Sequence, residues 1–248
     1  MNGNSTVDGV RAVELFYRPI KNTDSGRVTF LQSQTRLNSP AMGTLMPADY
    51  LPVAQLSDRC VSIFKLAFVQ LLQALGKFHE REVDIDWASV FVPARFLRQT
   101  EAPRVVADYC DKFGVKYERV CFELSPDVLD EADSTAADNV ALMRRQGFHF
   151  LLTGFGTEGF KMLKTAEFKV DNIMLDGSVA QVLGKSERYD TCVNSLLNFV
   201  FDLNAEVIAD GITNDKHVKQ LSGMQCLYYS GENAGKYIAE RYVRNRNE

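Results

Sequence analysis

Cysteine, histidine, tryptophan and net positive charge are all in short supply in this chain of 248 residues, and each shortage excludes something. Cys60, Cys110, Cys121, Cys192 and Cys226 are odd in number, scattered, and show no Cys-x-x-Cys spacing. That excludes a disulfide framework and a cysteine-ligated zinc site; they read as small buried apolar residues of a reduced, cytoplasmic protein. His79, His149 and His217 lie far apart, with no spacing that would link them on a metal. A net charge of −4 and a pI near 5.5 leave no electrostatic basis for nucleic-acid binding. The one basic cluster, Arg241, Arg244 and Arg246, reads as a solvated helix end. No uninterrupted apolar run approaches membrane-spanning length, and the polar stretch 1–9 has no apolar core of a secretion signal.

What the chain does contain is hydrophobic residues, 46% of the total, enough for one large core of barrel size. Residues 1–10 are expected to be a disordered leader, and 11–248 a single domain. Two strand-like runs, 13–20 and 27–37, flank the turn cluster 21–26 and should pair antiparallel. Residues 38–43 read as loop, and Pro47 suits a helix start. Ser57 is placed to cap a long helix whose apolar face is Cys60, Phe64, Ala67, Phe68, Leu71 and Leu75. Thereafter strands are predicted at 87–92, 117–124, 148–153, 170–175, 206–209 and 225–229. Helices are predicted at 94–113, 134–146, 187–204, 214–222 and 234–244, with a short one between the strands at 148–153 and 170–175. Repeated strand-then-helix units of this length define an α/β fold with a parallel sheet, and so many of them argue for closure into a TIM-type (β/α)8 barrel with an antiparallel first strand.

The stretch 148–176 is the clearest of these units. An apolar run stops at Gly154 and Gly156, and a second buried run ends on Asp176. In a parallel barrel, strand ends are where chemistry sits. Here those ends carry Thr153, Gly154 and Met174.

Ordered motifs across 13–244 resemble the EAL domain, the barrel that hydrolyses cyclic di-GMP. Tyr17-Arg18-Pro19-Ile20 is similar to the family's opening Tyr-Gln-Pro-Ile, and Gln32-Ser33-Gln34-Thr35-Arg36 falls where the signature Glu-Ala-Leu-Leu-Arg belongs. Phe122-Glu123-Leu124-Ser125, Gly154-Phe155-Gly156-Thr157, Ile173-Met174-Leu175-Asp176 and 208–213 follow at the family's intervals. Glu14-Leu15-Phe16-Tyr17-Arg18 also looks like the signature, but it precedes the glycine turn and is rejected.

The resemblance implies two divalent cations at the strand ends, activating a water for attack on a phosphodiester. Carried over position by position, the signature Glu becomes Gln32 and an Asn ligand becomes Phe91. A Glu ligand survives as Glu123. Paired aspartates become Thr153 and Gly154, and the water-positioning lysine becomes Met174. The general-base Glu shortens to Asp210, its neighbour becomes Thr213, and a late Gln becomes Ser230. Two carboxylates remain where the family has five, so neither a metal site nor another cofactor is expected, and nor is phosphodiesterase activity. Of the ligand positions, Arg36 would contact a phosphate or pair with a carboxylate such as Glu123. Asp176 would hold a loop, and Tyr228 would stack a base or belong to the core, as would Phe155, Phe160 and Tyr229. The resemblance points to an inactive signalling regulator that binds a protein, such as a transcription regulator or another signalling protein. The alternative is a receptor that binds cyclic di-GMP without hydrolysing it. An enzyme of changed substrate is disfavoured because no nucleophile–base pair can be named. Homodimerisation is left open, since Glu158-Gly159-Phe160 replaces the usual residues of the dimerising loop.

Overall fold

A computed structural model describes residues 6–7, 10–130 and 134–245. Eight strands close into a barrel: β1 Val13–Asn22, β2 Val28–Ser39, β3 Trp87–Phe91, β4 Val120–Leu124, β5 His149–Phe155, β6 Asn172–Leu175, β7 Glu206–Ala209 and β8 Tyr228–Tyr229. From β2 to β8 neighbouring strands are parallel in chain order, and β1 runs antiparallel to both β2 and β8. The long β1–β2 ladder fits the expected hairpin, with one irregularity at Ile20/Lys21. The closing seam is much thinner. Strand β8 meets β1 only at Lys21 and Asn22, and a short strand, Ile238–Ala239, meets it at Phe16 and Tyr17. Pro19 falls between these patches, where a missing N–H costs no ladder bond.

Helices pack on the outside. The longest, α2 (Arg59–Glu80), follows α1 (Pro47–Ala54) and buries Cys60, Phe64, Ala67, Phe68, Leu71, Leu75 and Phe78 at three- and four-residue spacing. Among the described residues it is also the helix long and apolar enough to cross a membrane, but most of its apolar stretch is covered by the protein. Its N-cap is Asp58, one residue beyond the expected Ser57. The helix predicted over 94–113 is two, α3 (Ala94–Leu97) and α4 (Ala102–Phe113), with Pro103, which has no N–H to donate, in the first turn of the second. Three more long helices follow as predicted to within two residues: α5 (Thr135–Gln146), then α7 (Glu187–Asp202) and α8 (Asp215–Gly223), with a short α6 (Gly177–Ala180) between.

The short helix expected between β5 and β6 is present as a 3-10 helix, Met162–Glu167. Three expectations need correction. The expected helix at 234–244 is the seam strand and a 3-10 turn, Glu240–Tyr242: the open edge of β1 takes Ile238–Ala239, and Glu240 pairs with Lys77 of α2 and with Arg81, its C-cap. The loop expected at 38–43 is largely a second hairpin, Gly43–Leu45 pairing back on Leu37–Ser39. The last barrel strand shrinks from 225–229 to Tyr228–Tyr229, since Gln225 adopts a left-handed backbone with φ 62°. Of the leader expected at 1–10, residues 1–5 and 8–9 lie outside the described residues, and Thr6–Val7 pairs antiparallel with Val10–Arg11.

Candidate functional site

Along each barrel strand alternate residues face inward. One inward layer is apolar: Ile20, Phe30, Trp87, Cys121, Leu151, Met174 and Ile208 form a continuous cluster with Tyr228 against it. Moving two residues toward the mouth along the same strands, or just past their ends, gives Arg18, Gln32, Ser89, Glu123, Thr153, Asp176, Asp210 and Ser230. These side chains are polar, and most are joined to one another.

Arg18 is the hub. Its Nε donates to Gln32 Oε1 at 2.7 Å and its second guanidinium nitrogen donates to Asp210 Oδ2 at 2.9 Å. The guanidinium lies over the Tyr237 ring, 5.0 Å from its centroid, and the Tyr237 hydroxyl reaches Gln32 Oε1 at 3.4 Å. Gln32 passes the network on, its Nε2 donating to Glu123 Oε2 at 3.0 Å. The other oxygen of Glu123 accepts from Ser89. The other oxygen of Asp210 accepts from Ser230 Oγ at 2.8 Å and from the Gly211 N–H at 2.7 Å. All four carboxylate oxygens of Glu123 and Asp210 therefore have a donor from the chain itself.

Electrostatics separates these two acids. Burial raises the pKa of Glu123 above the ordinary carboxylate value, outweighing the hydrogen bonds from Ser89 and Gln32 and the charge of Arg18. Burial would raise Asp210 too, but the charge of Arg18 and the hydrogen bonds from Arg18, Ser230 and Gly211 hold it below the ordinary value. For Arg18 burial works against the charge, and Tyr237, Asp210 and Glu123 more than offset it.

The remaining positions stand apart from the hub. Thr153 Oγ1 is turned to the Leu124 carbonyl at 3.1 Å. Gly154 has φ +74°, and a Cβ built there would stand 2.9 Å from Pro126 Cγ, so its backbone and its space both disfavour an aspartate. Met174 belongs to the apolar layer and touches the network only through its sulfur, 3.8 Å from Gln32 Nε2. Phe91, which registers with Glu123 on the neighbouring strand, borders a void of about 10 Å³ with Thr35, Tyr50, Cys60 and Phe64. Thr213 is exposed, beside Asn214. Asp176 caps α6, accepting from the Ser178 N–H at 2.9 Å.

Arg36 meets neither Glu123 nor the hub. It lies 3.7 Å over the Phe16 ring and donates to Gln34 at 3.1 Å. Tyr228 lies one layer below Ser230, 4.8 Å from Phe30, and so packs inside the barrel, away from the mouth. Phe155 and Phe160 pack on each other, with ring centroids 5.2 Å apart. Sequence reasoning missed Arg18, Ser89, Tyr237 and Pro126. The signal for Arg18 was its inward parity with Ile20, shared with Gln32 and Phe30 on the paired strand.

The pair of divalent cations that the resemblance implies does not fit these residues. The two acids are engaged by internal donors, and a guanidinium stands among the positions assigned to metal ligands. No cluster of three or more His, Cys, Asp or Glu suited to a metal occurs among the described residues.

A closed eight-stranded barrel with a reversed first strand and a polar mouth at the strand ends defines a protein of the TIM-barrel class. The family model described as "EAL domain" matches residues 9–237, and the chain belongs to that family. Cyclic di-GMP phosphodiesterase PdeR of Escherichia coli is 24% identical over 82% of the chain and 30% of its own length. Cyclic di-GMP phosphodiesterase RocR of Pseudomonas aeruginosa is 22% identical over 92% and 59%. The chain thus spans less than two thirds of either relative. Among solved structures, the FimX EAL domain of Pseudomonas aeruginosa bound to c-di-GMP superposes with a TM-score of 0.80 at 14% identity, covering 92% of this chain and 91% of that one.

Proposed function

We propose that this EAL domain has no phosphodiesterase activity and acts in signalling by binding another protein, in the cytoplasm. The observation that carries the reading is that every carboxylate oxygen of Glu123 and Asp210 is already bonded within the chain. Metal-assisted hydrolysis needs acids free to hold cations and a base free to take a proton from water. Asp210, held ionised by Arg18, is a poor proton acceptor. Gly154 and Met174 supply neither acid nor amine. A barrel that keeps its frame without these groups suits recognition better than turnover. The test is incubation of the purified chain with cyclic di-GMP and magnesium or manganese. No linear product is expected, and metal-dependent product formation overturns the reading. Partner binding is tested by isolating a stoichiometric complex whose composition is read by light scattering and mass spectrometry.

A second reading, a non-hydrolysing cyclic di-GMP receptor, is favoured by one observation. Arg36 remains at its signature position, with its planar fork only partly buried and held flat over Phe16. A calorimetric titration with cyclic di-GMP decides between the two. Binding lost in Arg36→Ala supports the receptor, and absence of heat leaves the protein-binding reading standing.

A further inference from the structure

We propose that the Arg18 guanidinium is the resident cation of the barrel mouth, taking the place of divalent ions and making the charge balance of this site independent of metal. The inference rests on the reading that the mouth does not hydrolyse, and adds what fills it instead.

A buried carboxylate, Glu123, and a half-buried one, Asp210, within one hydrogen-bonded network need positive charge, or one of them must take up a proton. Arg18 supplies that charge from inside the chain. Its fork is used in two directions, toward Asp210 at 2.9 Å and toward Gln32 at 2.7 Å. Gln32 is oriented by this demand: its carbonyl faces Arg18, which leaves its amide nitrogen for Glu123 at 3.0 Å. A carboxylate at position 32 could also accept from Arg18, but it would bring a third negative charge and could give nothing to Glu123. The replacement of the signature acid by Gln32 and the presence of Arg18 are therefore one change seen at two positions.

The seat of the guanidinium is built as well. Arg18 is 14% exposed and is covered on one side by Tyr237, which the chain delivers just before the seam strand. Arg18 also reaches across the seam, from β1 to the end of β7, over the interval around Pro19 where no backbone ladder joins β1 to β8. The fixed cation thus serves the charge balance and the closure of the barrel together.

Manganese ion alone is the probe. Melting temperature in EDTA and in Mn²⁺, with paramagnetic detection of bound Mn²⁺, is measured on the full chain for the wild type, Arg18→Gln and Arg18→Lys. The wild type should melt alike in EDTA and Mn²⁺. Arg18→Gln should melt lower in EDTA, recover part of the loss in Mn²⁺, and bind the ion more tightly than the wild type by on the order of tenfold, as expected when an opposing charge is removed from a partly buried site. Arg18→Lys keeps the charge without the fork, so it should be destabilised but remain indifferent to Mn²⁺. If Arg18→Gln folds only poorly, refolding yield with and without Mn²⁺ replaces the melt. A wild type stabilised by Mn²⁺ as much as Arg18→Gln, or an Arg18→Gln that gains nothing from Mn²⁺, overturns the proposal. Either result leaves the absence of hydrolysis to its own assay, whereas metal-dependent hydrolysis by the wild type would overturn both.

Discussion

Two layers of the same barrel, two residues apart on the same strands, obey different rules. In the lower layer Phe30 stacks on Trp87, 4.0 Å between ring centroids, and Cys121, Leu151, Met174 and Ile208 fill the space by shape alone. In the upper layer Arg18, Gln32, Ser89, Glu123, Asp210 and Ser230 fill theirs by matching each donor to an acceptor. The lower layer draws its stability from area removed from water. The upper layer gains little net stability from its bonds, but loses heavily if one partner goes and a charge is stranded. Met174 marks the boundary. Where the resemblance expects a lysine at the mouth, the apolar layer holds Met174, whose side chain packs with Leu151 and Ile208 and carries no charge.

The comparison is most open to challenge where each layer has most to lose. Trp87→Ala should destabilise the chain by about 3–5 kcal/mol, since it removes the largest side chain of the lower layer at 2% exposure. Urea unfolding measures this, and a cost below about 1 kcal/mol would mean the lower layer is not close-packed. Asp210→Asn should cost about 2–3 kcal/mol near neutral pH, because it leaves Arg18 without its charged partner. The pH dependence carries the sign. The folded pKa of Asp210 lies below its unfolded value, so its contribution is present above the ordinary carboxylate range and lost as pH falls through the lowered folded value. The gap between wild type and Asp210→Asn should therefore close below about pH 4. A gap that persists into acid would show that lost packing, not charge, sets the cost.

Much of the lower layer was legible in the sequence, because burial leaves a one-dimensional trace. Runs such as Trp87–Phe91, Val120–Leu124 and Glu206–Ala209 announce strands, and their spacing announces the barrel. The substituted positions of the upper layer were legible too, as residues in the place of expected ones. Their mutual bonds were not. Arg18 finds Asp210 across 192 residues, and only the closed seam brings them together. Tyr237 was hidden for a related reason. The segment after it has helical periodicity, yet an unfilled strand edge and the pairing of Glu240 with Lys77 and Arg81 outweigh that local preference.

Restoring an acid to the mouth is a smaller perturbation than either of these, and it sharpens what was lost. Gly154→Asp puts back the carboxylate that the resemblance expects, but at φ +74° and against Pro126. The backbone alone should cost about 1–2 kcal/mol. If the layer is as closed as its bonds indicate, the variant gains no metal-dependent activity. Gly154→Asp combined with Pro126→Ala should recover part of the stability, since it removes the contact and leaves only the backbone term. Equal stability of the single and double variants would show that Pro126 is not what closes this position.

The smallest expected effect is the most diagnostic of the upper layer. Glu123→Gln keeps the shape of the side chain and an acceptor for Ser89, and Gln32 still has Arg18 to satisfy. Near neutral pH its stability should differ from the wild type by about 1 kcal/mol or less, because the charge it removes is one that burial already disfavours. The sign again separates the two acids. Glu123 has a folded pKa above its unfolded value, so its favourable contribution is complete below the ordinary carboxylate pKa and is lost as pH rises through the raised one. Glu123→Gln should accordingly flatten the stability profile on the alkaline side of pH 4.3, about the ordinary glutamate value, whereas Asp210→Asn flattens it on the acid side. If both variants bend the profile in the same direction, Arg18 is not dividing its charge unequally between them, and the two acids titrate as one symmetric pair.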